Sequence, residues 1–409
     1  MRILFISHYF DPEPVVCGLA FPKELVKLGH EVEVLTGFPH YPGGKLYPGY
    51  KIKFFQKEIM DGIPVLRVPV YPSHDRSSIR RFLTYTSFGL SAAVIGPWVV
   101  RDADVAFVYH PPPTVWLPAW VIRLLHKTPF VYNVQDFWPD ALASSTMVKS
   151  KLGLRFVDKC CRFIYKSADR IVAQSPGFKE ELCKRGVQRD KIDIIYNWCD
   201  DSAIKPTEYD PALAKELGMA GKFNVLFAGG MGKGQALSAV LDAAVILKDE
   251  LQQVQFVFIG SGVEEDLLKD KVKNLNLKNV IFLKRRPKSE IGAVLSLADV
   301  LLVHLKDNLI HEITIPSKIQ AYMNVKKPIL IGAKGDATDL VMMAGAGLKC
   351  EPENPESIAR AIRKLFAMPR EELSAMGENG RKYYEGKLSL QVGAKRFVDV
   401  FNKVIHDTK

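Results

Sequence analysis

The chain has 409 residues, 47% of them hydrophobic, and 56 Lys and Arg against 45 Asp and Glu give a formal charge of 56 − 45 = +11. That length is too great for one ordinary core and suits two packed α/β domains of roughly 200 residues each; no repeats or low-complexity tracts are visible. The basic excess favours anionic partners, phosphates or an acidic membrane surface, over nucleic acid, for which there is no arginine-rich tail, zinc-finger spacing or compact helix-turn-helix.

In chain order, a buried first strand is expected at Arg2–Ser7, without the cleavage region of a signal peptide. It leads through Phe10-Asp11-Pro12-Glu13-Pro14 to Gly18, a segment that also reads as a plain turn punctuated by prolines. The strand Glu31–Thr36 is followed by Gly37-Phe38-Pro39-His40-Tyr41-Pro42-Gly43-Gly44, which mixes rigid and flexible residues with aromatic and imidazole groups. A lone histidine such as His40 is more often structural than catalytic. Further strands are predicted at Val65–Val70, Val105–His110, Phe130–Val134, Arg170–Ala173 and Asp193–Tyr196, with Pro111–Pro113 as a rigid loop.

Between them, Phe82–Val100 carries no charge and follows Arg76, Arg80 and Arg81. Its length approaches a membrane span of about 20 residues. Gly89, Gly96 and Pro97 interrupt it and Asp102 and Asp104 follow, so a buried or membrane-surface helix is expected rather than a span.

The polar stretch from Asn197 to Asp210 reads as an interdomain linker. The pattern then restarts, with strands predicted at Asn224–Ala228, Gln255–Ile259, Val280–Leu283, Val300–His304, Pro328–Ile331 and Gly347–Cys350, and an amphipathic helix over Ser389–Ile405. Short β-branched runs alternating with helical pattern are the signature of βαβ units and a parallel sheet, and here the alternation occurs twice. In such sheets ligands bind beyond the carboxyl ends of the strands, so two domains facing each other create one shared cleft. The six cysteines, Cys17, Cys160, Cys161, Cys183, Cys199 and Cys350, show no CxxC spacing; neither zinc nor disulfides are indicated, and a reducing cytosol is the expected compartment.

Two post-strand segments carry the chemistry of the second half. Phe227-Ala228-Gly229-Gly230-Met231-Gly232-Lys233-Gly234-Gln235 lets the backbone approach an anion closely, although it completes neither GxGxxG nor a P-loop and also fits a tight βα turn. In His311-Glu312-Ile313-Thr314-Ile315-Pro316-Ser317-Lys318-Ile319-Gln320, Pro316 or Ser317 can start a helix whose free N–H groups offer a dock for a diphosphate. Lys318 places a cation in the first helical turn, where the helix dipole disfavours it unless an anion is bound. Glu312 can accept hydrogen bonds from sugar hydroxyls, and Gln320 can reach a ribose. The plain alternative is a capped helix with surface charges.

The spacing from Glu312 to Gln320, followed by Ala321-Tyr322-Met323-Asn324-Val325-Lys326-Lys327-Pro328, resembles the E-x7-E motif of glycosyltransferase family 4. Gln320 stands where that family has its second Glu, keeping the hydrogen-bonding capacity and losing the charge; the Pro-Ser-Lys-Ile-Gln form belongs to the branch that makes bacterial surface polysaccharides such as O-antigen and capsule. The resemblance implies an α/β GT-B fold of two Rossmann-like domains facing across a cleft. Residues 1–203 would form the acceptor domain, 204–388 the donor domain, and the helix 389–409 would pack back on the first.

It also implies roles. Glu312 meets the donor sugar and Gln320 the ribose, with Gly230, Ile313, Thr314, Ile315, Pro316, Ser317 and Lys318 around the donor. Lys233 is the basic group at the donor phosphates, Gly18 is what remains of a paired-glycine loop beside them, and Arg286 lies in the loop around the nucleotide base. Asp136, after the Phe130–Val134 strand, occupies the place of a residue that faces the transferred sugar, where helix capping is the plain alternative. From its own mix of aromatic and imidazole groups, the loop Gly37–Gly44 suits the acceptor side, with His40 and Tyr41 as the expected contacts.

The activity implied is retaining sugar transfer from a nucleotide-sugar, with a bias toward a UDP-linked HexNAc or related hexose. No metal and no cofactor are expected, since no Asp-x-Asp signature stands at a strand end. The basic balance and Phe82–Val100 suggest a lipid-linked saccharide acceptor at the cytoplasmic face of the inner membrane. Two readings of other kinds stand beside this one. A Rossmann NAD-dependent oxidoreductase or epimerase fits poorly because the first strand is not followed by GxGxxG. A nucleotide-sugar-binding protein without turnover is suggested by Gln320 and the reduced glycine loop.

Overall fold

The computed structural model describes residues 1–73, 77–138, 150–201 and 203–408. They form two compact units, Met1–Tyr196 with Gly393–Lys409, and Asn197–Val392.

The first unit is built on an eight-stranded sheet of order β3-β4-β2-β1-β5-β6-β7-β8. The strands are β1 (Arg2–Ser7), β2 (Glu31–Gly37), β3 (Gln56–Met60), β4 (Ile63–Val68), β5 (Val105–Tyr109), β6 (Phe130–Val134), β7 (Arg170–Ala173) and β8 (Ile192–Ile194). Ile3 to Ile6, Val105 to Val108 and Phe130 to Val134 are buried without alternation, because helices cover both faces of the sheet. The ladders align Ile6 with Leu35 and Ser7 with Tyr109, so the loops after β1, β2, β5 and β6 leave from one edge.

One element departs from the sequence expectation: β3 pairs antiparallel with β4, so this sheet is not wholly parallel. Its turn is Asp61-Gly62, both residues at positive φ (47° and 84°), which is the geometry that Asp-Gly supplies to a two-residue hairpin.

All of the uncharged stretch but its last residue, Val100, lies within the Ser78–Val99 helix, whose cap Ser77 accepts from the N–H of Arg80. The glycines that interrupt it are packing contacts. A Cβ at Gly89 would stand 2.9 Å from the carbonyl oxygen of Thr114, and one at Gly96 would stand 3.0 Å from Leu35. By length and composition this helix could cross a membrane, and 39% of its most apolar window is buried against the unit. The side chains turned outward include Ile79, Phe82, Leu83, Leu90, Val94 and Trp98, the last 83% exposed.

The C-terminal helix, Leu390–Thr408, completes the core of the first unit. Phe397 meets Phe21 and Phe107 with ring centroids 5.2 and 5.0 Å apart, and Phe401 lies 6.1 Å from Phe107. Lys403 pairs with Asp193 at 3.3 Å.

The second unit holds a six-stranded sheet, order β11-β10-β9-β12-β13-β14, whose pairings are all parallel. Its strands are β9 (Phe223–Gly230), β10 (Val254–Ser261), β11 (Val280–Leu283), β12 (Val300–His304), β13 (Ile329–Gly332) and β14 (Gly347–Cys350). The polar segment after Tyr196 is tied to this unit. Tyr384 donates to Asp201 at 2.6 Å, Lys288 pairs with Asp200 at 2.9 Å, and Asn324 donates to the carbonyl of Ile204 at 2.5 Å.

Candidate active site

At the carboxyl edge of the second sheet, the two segments singled out in the sequence come together. The loop after β9 makes a single 3-10 turn at Lys233–Gln235 and enters the Leu237–Leu247 helix through Ala236 at φ 44°, with no side chain capping that helix and no acidic residue in its first turn. Left-handed backbone at an alanine is strained and held by its surroundings. Those surroundings are the loops after β12 and β14. His304, fully buried, donates through Nδ1 to the carbonyl of Gln235 at 2.7 Å and accepts at Nε2 from the N–H of Glu353 at 3.1 Å. Those partners fix the Nδ1–H tautomer, and burial lowers the pKa, so the ring is a neutral clamp. The N–H of Lys306 donates to the carbonyl of Gly234 at 2.9 Å.

Lys318 opens the short Lys318–Asn324 helix behind Ser317, whose side chain makes no capping bond. Its ammonium stands 3.6 Å from the centroid of the Phe227 ring and 3.4 Å from Oε1 of Gln235. A Cβ at Gly229 (φ 137°) would lie 3.1 Å from that nitrogen, so a glycine there gives the lysine its room. Desolvation lowers the Lys318 pKa to about 7. Four residues on, the hydroxyl of Tyr322 accepts from the N–H of Ala228 at 2.8 Å, fastening this helix to the end of β9.

The other donor-side candidates are distributed around this centre. Glu312 sits half-buried in the Leu309–Ile313 turn, capped by Asn308, and its carbonyl would stand 2.1 Å from any Cβ at Gly335. Ile313, Thr314 and Pro316 are partly exposed, Ile315 is buried and Ser317 is exposed. Lys233 and Gly230 are exposed, and among the described residues Lys233 has no ion-pair partner. Gln320 is 1% exposed, with its Oε1 unpartnered. Arg286, after the edge strand β11, already pairs with Glu216 at 2.7 Å and Glu290 at 3.1 Å.

In the first unit, Gly18 stands at a close approach of the chain. A Cβ there would fall 2.2 Å from Oδ2 of Asp11, the oxygen that accepts from the N–H of Leu19 at 2.6 Å, so a protein carboxylate fills the space beside this glycine. Asp136 follows β6, exposed, and desolvation by its surroundings holds its carboxyl above the usual range. The capping alternative concerns residues 139–149, which lie outside the described residues.

His40 is buried and Tyr41 half-buried, and both are positioned by Glu13, a residue the sequence reading did not single out. Its Oε1 accepts from the N–H groups of His40 and Tyr41 at 2.8 and 2.7 Å, and its Oε2 from that of Phe10 at 2.9 Å. Burial raises its pKa to about 7 against the pull of those three donors. Arg67, fully buried on β4, ties the same loops: it donates to Glu58 at 2.6 Å, to the carbonyl of Gly37 at 2.9 Å and to that of Asp11 at 2.6 Å. A charged residue inside an otherwise apolar strand was the available signal for it.

The comparisons with known proteins bear on this architecture. Residues 16–198 match the glycosyl transferase 4-like domain and residues 212–383 the glycosyl transferases group 1 model. WcaI of Escherichia coli K12, assigned to colanic acid biosynthesis as a glycosyl transferase, is 24% identical over 98% of this chain and 99% of its own. WbjE of Pseudomonas aeruginosa, assigned as a glycosyltransferase, is 26% identical over 76% of this chain and 77% of its own. Among solved structures, HepE of Anabaena in complex with UDP-glucose superposes with a TM-score of 0.70 at 15% identity, covering 98% of this chain and 100% of that one. Two domain matches in tandem, relatives of the same length and a shared architecture make this chain a GT-B glycosyltransferase, a family-4-like domain followed by a group 1 domain.

Proposed function

We propose that this enzyme is a retaining, metal-independent transferase that moves a HexNAc or related hexose from a UDP-linked donor to a lipid-linked saccharide in bacterial surface polysaccharide synthesis. The observation that carries the donor side is Lys318: an ammonium held over the Phe227 ring, with no carboxylate to answer it, beside the uncapped end of the Leu237–Leu247 helix. That arrangement favours a diphosphate, which supplies the missing charge and accepts from free backbone N–H groups. Together with Lys233 it meets the charge of the departing nucleoside diphosphate by fixed protein groups. Glu312 holds sugar hydroxyls and Gln320 the ribose, while Gly230 and residues 313–317 line the donor and the Arg286 loop frames the base. Asp136 and Gly18 are assigned to the sugar and phosphate side of the first unit, and His40 and Tyr41 to the acceptor. In the reaction the anomeric C–O bond to phosphate breaks, the acceptor oxygen bonds to the same face of the sugar, and the hydroxyl proton passes to a donor phosphate oxygen.

HepE is described in complex with UDP and with UDP-glucose, and WcaI is assigned to colanic acid biosynthesis, which supports the nucleotide and the pathway class. The test is a thermal-shift panel of UDP, GDP, ADP and NAD without added metal, on wild type, Glu312→Ala and Lys318→Met. Ligands that bind only the folded state raise its melting temperature. Stabilisation by UDP that both substitutions weaken supports the reading, and stabilisation by NAD alone overturns it. The anomeric configuration of the product by NMR, and turnover in EDTA, decide retention and metal independence.

Peripheral membrane contact rests on the first unit. Beside the outward side chains of the Ser78–Val99 helix, exposed apolar groups stand at Leu124 and Leu125 of the Trp116–His126 helix and at Leu152, Phe156 and Phe163 of the Lys151–Ser167 helix, the latter two helices meeting where Trp116 and Phe163 lie edge to face at 5.5 Å. Exposed Arg80, Lys127, Arg155 and Lys159 stand on the same helices and their ends. Apolar groups flanked by cations suit an anionic bilayer surface.

A further inference from the structure

A continuous cluster of rings gathers at the carboxyl edge of the first sheet. His8 contacts Tyr9 at a centroid distance of 4.2 Å, Phe88 at 4.9 Å, His40 at 5.7 Å and Tyr85 at 5.8 Å. Tyr9 in turn meets Tyr41 at 4.9 Å, and Tyr85 meets Trp138 at 5.9 Å. His8 is only 1% exposed and neither of its ring nitrogens has a partner. A buried imidazole left without hydrogen bonds costs stability, and a folded protein that keeps one at a loop edge has a polar floor unused by its own chain.

Arg81 stands over this floor, in the early turns of the Ser78–Val99 helix, whose first turn carries no acidic residue. Its Nη2 makes a long contact of 3.4 Å to the hydroxyl of Tyr85, its Nε is buried without a partner, and its charge reaches the phenol of Tyr9. Among the described residues no carboxylate pairs with it. The contrast with Arg67, whose guanidinium is answered by Glu58 and two carbonyls, sets Arg81 apart: the fully buried Arg67 is structural, and the half-buried Arg81 has unused donors. Glu13, the nearby carboxylate, is directed at backbone N–H groups and does not face Arg81's donors.

We infer that Tyr9, Tyr41, Tyr85 and Trp138 around Arg81 form the acceptor subsite, and that it selects a saccharide bearing an oxyanion, a phosphate or a carboxylate, beside the sugar ring. Tyrosine and tryptophan faces suit the C–H faces of a sugar, while a guanidinium with a free edge suits an oxyanion. This deepens the transferase reading and rests on it.

The test is ligand-observed NMR titration of the whole chain with its donor site saturated by UDP, using glucose 1-phosphate, glucuronate, methyl α-glucoside and inorganic phosphate as probes. Glucose 1-phosphate or glucuronate is expected to bind about tenfold more tightly than methyl α-glucoside, and Arg81→Gln to remove that difference while UDP binding and melting temperature stay unchanged. Whichever anion binds better names the charged group. Tyr85→Ala should weaken the anionic and the neutral sugar alike. Equal binding of the charged and neutral sugars, or of inorganic phosphate and glucose 1-phosphate, overturns the inference with the transferase reading intact; failure of UDP to bind overturns that reading instead. Should Arg81→Gln fail to fold, Arg81→Lys serves, with a reduced preference expected and an unchanged one counting against the subsite.

Discussion

The ammonium of Lys318 is held against the face of Phe227 with Gln235 as its acceptor, and desolvation there lowers its pKa to about 7. A diphosphate beside it reverses the shift by supplying opposite charge. Nucleotide binding is therefore expected to take up a proton at about pH 8, and affinity for UDP to fall as pH rises above about 7. Calorimetry in buffers of different ionisation enthalpy measures the uptake, which Lys318→Met should abolish. Folding answers with the opposite sign. The unfolded lysine keeps its proton to about pH 10.4, the folded one releases it near 7, so between those values the unfolded state holds more protons and stability rises with pH. Glu13 offers a second check, because its one carboxylate serves three backbone donors. Glu13→Ala should lower stability by about 3 kcal/mol in urea titration, and Glu13→Gln by less, since the amide oxygen still accepts.

The Ser78–Val99 helix divides its surface between two environments, Phe88, Ala92 and Ile95 inward and Leu90, Val94 and Trp98 outward. Leu90→Glu with Val94→Glu should leave the melting temperature within about 2 °C, as exposed substitutions do, and should abolish flotation with anionic vesicles. Flotation equal to wild type would remove the membrane contact. Strands were most legible where burial is nearly continuous, and β1, β6, β7 and β12 have the bounds read from their apolar runs; the partly exposed β11 and β14 were read with the same bounds as found. Strand β3 was not, since Gln56–Met60 is half-exposed and offers no such run, and only the Asp61-Gly62 turn signals it. At the site, the segments 227–235 and 311–320 were each visible. Their convergence was not, because the contact of Lys318 with Phe227 joins residues about ninety positions apart and no local pattern records it. The same applies to the ring cluster, assembled from residues 8–9, 40–41, 85 and 138.

At the scale of the whole molecule, tandem domain matches and full-length relatives agree with two separate sheets, each with its own core. The first of those cores is not contiguous in sequence. Phe397→Ala should cost about 3–5 kcal/mol, as aromatic truncations in packed cores do, and should lower an early unfolding transition assigned to the first unit while leaving that of the second in place. The chain leaves the first unit at Tyr196 and returns to it only at Gly393. On the ribosome, at about 5–20 residues per second, the sheet around Phe21 and Phe107 therefore waits on the order of 10–40 s for the helix that covers it. The second unit, made later, can finish folding earlier, and the nascent first unit is the portion of the protein that a chaperone would find uncovered.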